Sequence, residues 1–203
     1  MIVDMRTYQL KPRSLPEVLK RWNEALPARV KVSPLGGFWY TDVGPLNQII
    51  HIWPYADFDE RQRVLAERIP GWPPRTAEFI EHMESKLLLP APFSPRLEPR
   101  RLGDVYEFRI YGYKPGTIPQ VIELWGGAIS ERTKLSPLAG AWYTGFGSLN
   151  QWIHLWAYKD AGERYRIRAE AVKRGIWPPA GGGDLLVSQQ NLLAIPADFS
   201  PLR

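Results

Sequence analysis

Residues 3–10, VDMRTYQL, alternate in a way that an extended chain sorts onto two faces. Asp4, Arg6 and Tyr8 fall on one side, Met5 and Thr7 on the other. The period then changes. Leu15, Val18, Leu19, Trp22 and Leu26 recur every three or four residues and predict an amphipathic helix. Ser14, Pro16 and Glu17 open it as an S/T-x-x-E capping box with proline in the first turn. Residues 37–43 and 46–55 return to strand patterns around Gly44 and Pro45, which predicts a hairpin. Asp57 and Glu60 cap a second helix, on which Arg63 and Glu67 have the spacing of an ion pair one turn apart. Residues 86–89 supply a last strand, completing β-α-β-β-α-β.

The same pattern is then written again. A shift of about 103 residues aligns residues 4–69 with 107–172 without a gap, about half of the positions being identical. WYTDVGPLNQIIHIW at 39–53 becomes WYTGFGSLNQWIHLW at 142–156. The second copy has Thr117 and Gln120 in its capping box and the helical stripe Ile118, Val121, Ile122, Trp125 and Ile129. Asp160 and Glu163 cap its second helix, with Arg166 and Glu170 as the paired charges, and residues 192–195 form its last strand. The organisation read from this is a first repeat over 1–95, a connector over 96–103 and a second repeat over 104–203. Each β-α-β-β-α-β unit is a ferredoxin-like sheet with helices on one face, and the bare face must be covered. The expected fold is therefore α+β: two ferredoxin-like repeats face to face in a pseudo-dimeric α+β barrel, helices outside.

The polar positions cluster by face. In residues 46–55 one face carries Asn47, Ile49, His51, Trp53 and Tyr55; the second copy carries Asn150, Trp152, His154, Trp156 and Tyr158. Glu107, Arg109 and Tyr111 repeat the face of Asp4, Arg6 and Tyr8. The aliphatic faces are expected to pack under the helices, and the polar, aromatic faces to meet between the two sheets. There they form either a hydrogen-bonded interior or the wall of a ligand cavity. If a ligand is bound, Arg6 or Arg109 holds an anionic group and Asn47 or Asn150 orients a carbonyl, beside Tyr8, Tyr111, Trp53 and Trp156. If catalysis occurs, His51 or His154 is the proton carrier, because imidazole titrates near neutral pH. Trp152 stands where the first copy has Ile49, so a cavity should be unequal in the two copies.

Composition narrows the chemistry. There is no cysteine, hence no disulfide, thiolate metal site or cysteine nucleophile, which fits a reducing, cytoplasmic compartment. The +5 net charge is scattered rather than blocked, so nucleic acid is not an expected partner. No apolar run reaches the roughly 20 residues of a membrane span, and no targeting segment is read at the start. No metal-binding spacing occurs, Ser33 and Ser136 lack a nucleophile-elbow context, and the AGGGD stretch at 180–184 lacks the lysine of a phosphate loop. No metal or cofactor is expected. The chain is expected as a monomer or a homodimer, edge strands being the means of pairing.

The repeated motifs carry a family resemblance. They are Arg6, Tyr8 and Pro12 with Arg109, Tyr111 and Pro115, the strands at 37–41 and 140–144, LNQ…H.W at 46–53 and 149–156, and the closing PAPFSP and PADFSP. Together they resemble the NIPSNAP family, in two copies over nearly the whole chain. The resemblance implies the dimeric α+β barrel fold and little about activity. That fold also hosts cofactor-free oxygenases and haem-degrading oxygenases, the sites of the haem-degrading members lying between sheet and helices. Three functions follow as expectations: a small-molecule-binding barrel, a cofactor-independent oxygenase or isomerase, or an assembly protein without a small ligand.

Overall fold

A computed structural model describes residues 1–203. The first unit runs β1 (Ile2–Leu10), α1 (Leu15–Val30), β2 (Gly37–Val43), β3 (Gln48–Tyr55), α2 (Phe58–Ala66) and β4 (Ile80–Pro90). The second runs β5 (Val105–Tyr113), α3 (Ile118–Thr133), β6 (Leu138–Phe146), β7 (Gln151–Tyr158), α4 (Ala161–Lys173) and β8 (Leu186–Pro196). All pairings are antiparallel, and the strands close in the order β1-β3-β2-β8-β5-β7-β6-β4. The units are joined at β4–β6 and β2–β8, so each last strand leaves its own sheet to seal the other. Closure removes the edge strands that the sequence offered as a means of pairing between copies.

The last strands are longer than the pattern at 86–89 and 192–195 suggests. Their first halves, residues 81–85 and 187–191, pair with β1 or β5 but are exposed on both faces and mostly polar, Met83 and Val187 being the exceptions. Without a buried side, they carry no hydrophobic alternation.

The barrel interior is apolar. Val3, Met5, Trp39, Ile50, Ile52, Leu88, Tyr106, Phe108, Trp142, Ile153, Leu155 and Leu192 form one buried cluster fed by all eight strands. The expected orientation is thus reversed. The aliphatic faces meet between the sheets, and the faces of Arg6, His51, Arg109 and His154 look outward to the helices. The helices explain this. Arg61 on α2 and Arg164 on α4 bring guanidinium groups to Asp4 and Glu107, and those acids can be satisfied only on the helix side. Neither a hydrogen-bonded polar lumen nor a lumen site remains.

Trp39 and Trp142 fill the lumen by folding back over their own strands. A Cβ on Gly37 or Gly140 would lie 1.9 Å from the indole of Trp39 or Trp142. Both rings are almost wholly buried and have nowhere to retreat. Gly140→Ala is expected to cost about 1–3 kcal/mol through overpacking. A urea midpoint equal to that of the parent would mean the indole can swing aside.

Two local expectations fail at the helices. Ser14 and Thr117 do not close capping boxes; their hydroxyls donate to the carbonyls of Lys11 and Lys114, at 2.7 and 2.8 Å. Their φ values of −87° and −94° put them already in the helical region, which turns the side chain from the N3 amide. Asp57 and Asp160 do cap, accepting from the Glu60 and Glu163 amides at 2.8 and 2.7 Å. The Glu60 and Glu163 side chains answer by accepting from the amides of Ala56 and Lys159. Arg63 and Glu67 do not pair, because α2 ends at Ala66 and Glu67 turns extended; Glu170 meets Arg174 rather than Arg166.

Candidate functional site

On each unit's outer sheet face a buried carboxylate organises arginines from two elements. Asp4, fully buried, receives Arg6 at 3.1 Å, Arg61 at 2.9 Å and the Ser85 hydroxyl at 2.6 Å. Glu107, also fully buried, receives Arg109 at 2.7 Å, Arg164 at 2.6 Å and Asn191 at 3.2 Å, with Arg168 at 3.7 Å. Burial alone would raise the Glu107 pKa, but Arg164, Arg109 and Arg168 outweigh it and hold it below 4.5. Arg6 and Arg109 also donate to Tyr8 and Tyr111, so the two motif positions are joined by hydrogen bonds.

Strand register sets Arg6 opposite His51 and Arg109 opposite His154. Each histidine is enclosed. His51 lies against the rings of Tyr8, Trp22 and Phe38, and His154 against Tyr111 and Trp125. The Trp53 indole N–H donates to His51 Nδ1, and Trp156 to His154 Nδ1, both at 2.7 Å. An accepting Nδ1 leaves the proton of a neutral ring on Nε2. Neither Nε2 has a partner. Burial first, then Arg6 and Arg29 for His51 and Arg109, Arg168 and Arg132 for His154, push both pKa values well below 6.5. Both rings are therefore neutral Nε2–H donors at physiological pH.

Two residues absent from the sequence-derived set complete the site. Arg29 and Arg132 are buried at the ends of α1 and α3. Arg29 lies over the Trp53 ring at 4.3 Å and donates to the Tyr55 hydroxyl at 3.0 Å. Arg132 lies over Trp156 at 4.1 Å and donates to Tyr158 at 3.1 Å. Neither has a carboxylate within 4 Å. Desolvation lowers both pKa values, opposed by the tyrosines. Their signal was in the sequence: they continue the stripes from Trp22 and Trp125, and they occupy matching positions in the two copies.

These groups border two clefts between sheet and helices. The first, of about 690 Å³, is lined by Arg6, Tyr8, Trp22, Arg29, His51, Trp53, Tyr55 and Trp72. The second, of about 300 Å³, is lined by Arg109, Tyr111, Tyr113, Trp125, Arg132, Arg168 and Trp177. His154 and Trp156 sit behind the second wall rather than in it. Asn47 and Asn150 line neither cleft. They hold the hairpin turns at φ 57° and 55°, a left-handed conformation that asparagine tolerates, and their carbonyls accept from the amides of Leu10 and Tyr113. Trp152 packs on Trp125 at 5.0 Å, filling space beneath α3 that Ile49 leaves under α1. No trio of His, Asp or Glu is placed to hold a metal ion, and no helix is long and apolar enough to cross a membrane.

The NIPSNAP family model matches residues 3–95 and again 106–201. The human protein NipSnap homolog 3B is 31% identical over 98% of this chain and 85% of its own length. The NipSnap homolog of Dictyostelium discoideum is 31% identical over 87% of this chain and 78% of its own. Among solved structures, a monooxygenase-like protein of Lactobacillus acidophilus superposes with a TM-score of 0.73 over 97% of this chain and 93% of that one. At 7% identity that likeness speaks to fold alone.

Proposed function

The chain belongs to the NIPSNAP family, and from that premise we propose that it binds an anionic small molecule beside the barrel, in the first unit's cleft. The observation that carries this reading is Arg29. A buried cation without a carboxylate is costly to keep, and it is retained here against a wall of Trp22, Trp53 and Trp72. A concave, mostly aromatic cleft of a few hundred Å³ with a few convergent polar groups is the usual form of a small-molecule site. Arg6, Tyr8 and Trp53 stay in the proposed binding set, and Arg29 and Trp22 join it.

Native mass spectrometry of freshly purified protein tests the reading. Extra mass above the 23.3 kDa chain, lost on unfolding and absent from Arg29→Gln, is the expected result. A clean chain mass in both proteins would remove the small-molecule reading and leave the assembly function. The same spectrum separates monomer from homodimer. A cytoplasmic location, which the cysteine-free chain fits, is checked by fractionation of the source cells.

A second reading, a cofactor-independent isomerase or oxygenase, is favoured by the state of His51. With Nδ1 occupied by Trp53, the ring would polarise a carbonyl through Nε2–H rather than abstract a proton. A His51→Gln protein that keeps its adduct but no longer converts it would support this reading; unchanged turnover would remove it.

A further inference from the structure

The second cleft differs from the first in charge as well as size. Leu65 lines the first cleft; the matching position in the second repeat, 103 residues on, is Arg168, which lines the second. Arg109, Arg132 and Arg168 all face the second cleft, and no aspartate or glutamate does. Behind the wall, Glu107 is the one carboxylate in reach, and Arg109, Arg164 and Arg168 already share it at 2.7, 2.6 and 3.7 Å. With Arg132, which has no carboxylate partner, four guanidinium groups are balanced by one carboxylate, a surplus of three positive charges. In the first unit Asp4 serves Arg6 and Arg61, and only Arg29 is added, while Glu81 supplies a further negative charge at the cleft wall.

Hydrogen bonding points the same way. The Nε atoms of Arg132 and Arg164 are buried and have no acceptor. Arg132 is 1% exposed and lines the cleft, so its unsatisfied N–H is kept from bulk water. Guanidinium groups repel one another in such a space unless an anion stands among them. Planar guanidinium forks suit the oxygens of phosphate and carboxylate, which only accept. The cleft is too small for a large ligand body, and its remaining walls include Trp125, Trp177 and Tyr113.

We propose that the second cleft is a separate site for a compact oxyanion carrying two or more negative charges, a phosphate group or a dicarboxylate, held by Arg109, Arg132 and Arg168. It stands independently of what the first cleft binds. Arg168 sets the preference for a dianion, and the leucine at the matching position leaves the first cleft to a less charged, larger ligand.

The test uses the intact protein at constant ionic strength, with thermal unfolding and calorimetric titration of inorganic phosphate, malonate and acetate at pH 7.5. Phosphate or malonate is expected to raise the unfolding temperature saturably and to bind once per chain, while acetate does neither. Which of the two dianions binds more tightly names the source chemistry. Arg168→Leu should weaken dianion binding at least tenfold, and Arg168→Lys should restore part of it. Arg168 is the most exposed arginine of the group, so both variants are expected to fold, which the unfolding curves report directly. Equal stabilisation by acetate, no saturable binding of either dianion, or undiminished binding in Arg168→Leu would each overturn the proposal.

Discussion

Replacing Glu107 by glutamine is expected to lower folding stability by about 3–5 kcal/mol, the range for removing one partner of a buried ionic network. The side chain keeps its shape and loses its charge. Arg109 and Arg164, each 12% exposed, then keep their guanidinium groups in a mostly water-excluded space with no counter-charge. Arg132 lies in the same field, with Arg168 adding repulsion and Glu107 relieving it. Asp4→Asn should cost less. Only Arg6 and Arg61 depend on Asp4, and Arg6 is 23% exposed and open to screening by water. Urea unfolding of the two variants at one ionic strength reads both values. A loss below about 1 kcal/mol for Glu107→Gln would mean the arginines find water instead, and that the second unit's charge surplus is not a buried one.

The same carboxylates show why the sequence disclosed so much of the fold and less of the site. The duplication, the strand and helix periods and the closure of one sheet by another were legible because each rests on spacing alone. Which strand face turns inward was not. Both faces of β1, β3, β5 and β7 are buried, one against the other sheet and one against helices, so alternation separates the faces without ranking them. The deciding facts are tertiary. Arg61 and Arg164 reach Asp4 and Glu107 from the second helix of each unit, 57 residues along the chain. Small residues at Gly37 and Gly140 then let Trp39 and Trp142 fold into the lumen.

Individual site residues divide along the same line. Arg6, Tyr8, Arg109 and Tyr111 border clefts because a strand motif fixes neighbours two residues apart on one face. Asn47 and Asn150 carry the same repeat signature for a different reason, the left-handed turn that each hairpin needs. Repetition marks a constraint and does not say whether it is backbone geometry or chemistry. Arg29 and Arg132 are less legible: a charged residue on a helix ordinarily lies on its wet face, and only their spacing from Trp22 and Trp125 puts them on the buried one.

Acid should unfold this protein earlier than its carboxylates require. His51 and His154 are held neutral in the fold, their pKa values pushed well below 6.5 by burial and by facing arginines. In the unfolded chain both titrate near 6.5, so below that pH the unfolded state carries more protons than the native one. The sign follows. The stability contributed by two neutral histidines is complete above pH 6.5 and is lost as pH falls. The loss approaches about 1.4 kcal/mol per pH unit for each ring, about 2.7 together, once pH is below about 5.5. Glu107 adds to the loss in the same direction, but only below about 4.5, where the glutamate of the unfolded chain takes up a proton that the native carboxylate still refuses. The two contributions therefore occupy different windows. His51→Gln with His154→Gln keeps an acceptor for the indole N–H of Trp53 and Trp156 and removes both titrations. Unfolding free energies measured between pH 7 and 5 should fall steeply in the parent and stay nearly level in the double variant. A parent curve that is flat over this range would show that the histidines gain protons without unfolding. An equal slope in both proteins would assign the protons to other groups. Either result would undo the reading of these rings as fixed, neutral donors, His51 in the wall of the first cleft and His154 behind the wall of the second.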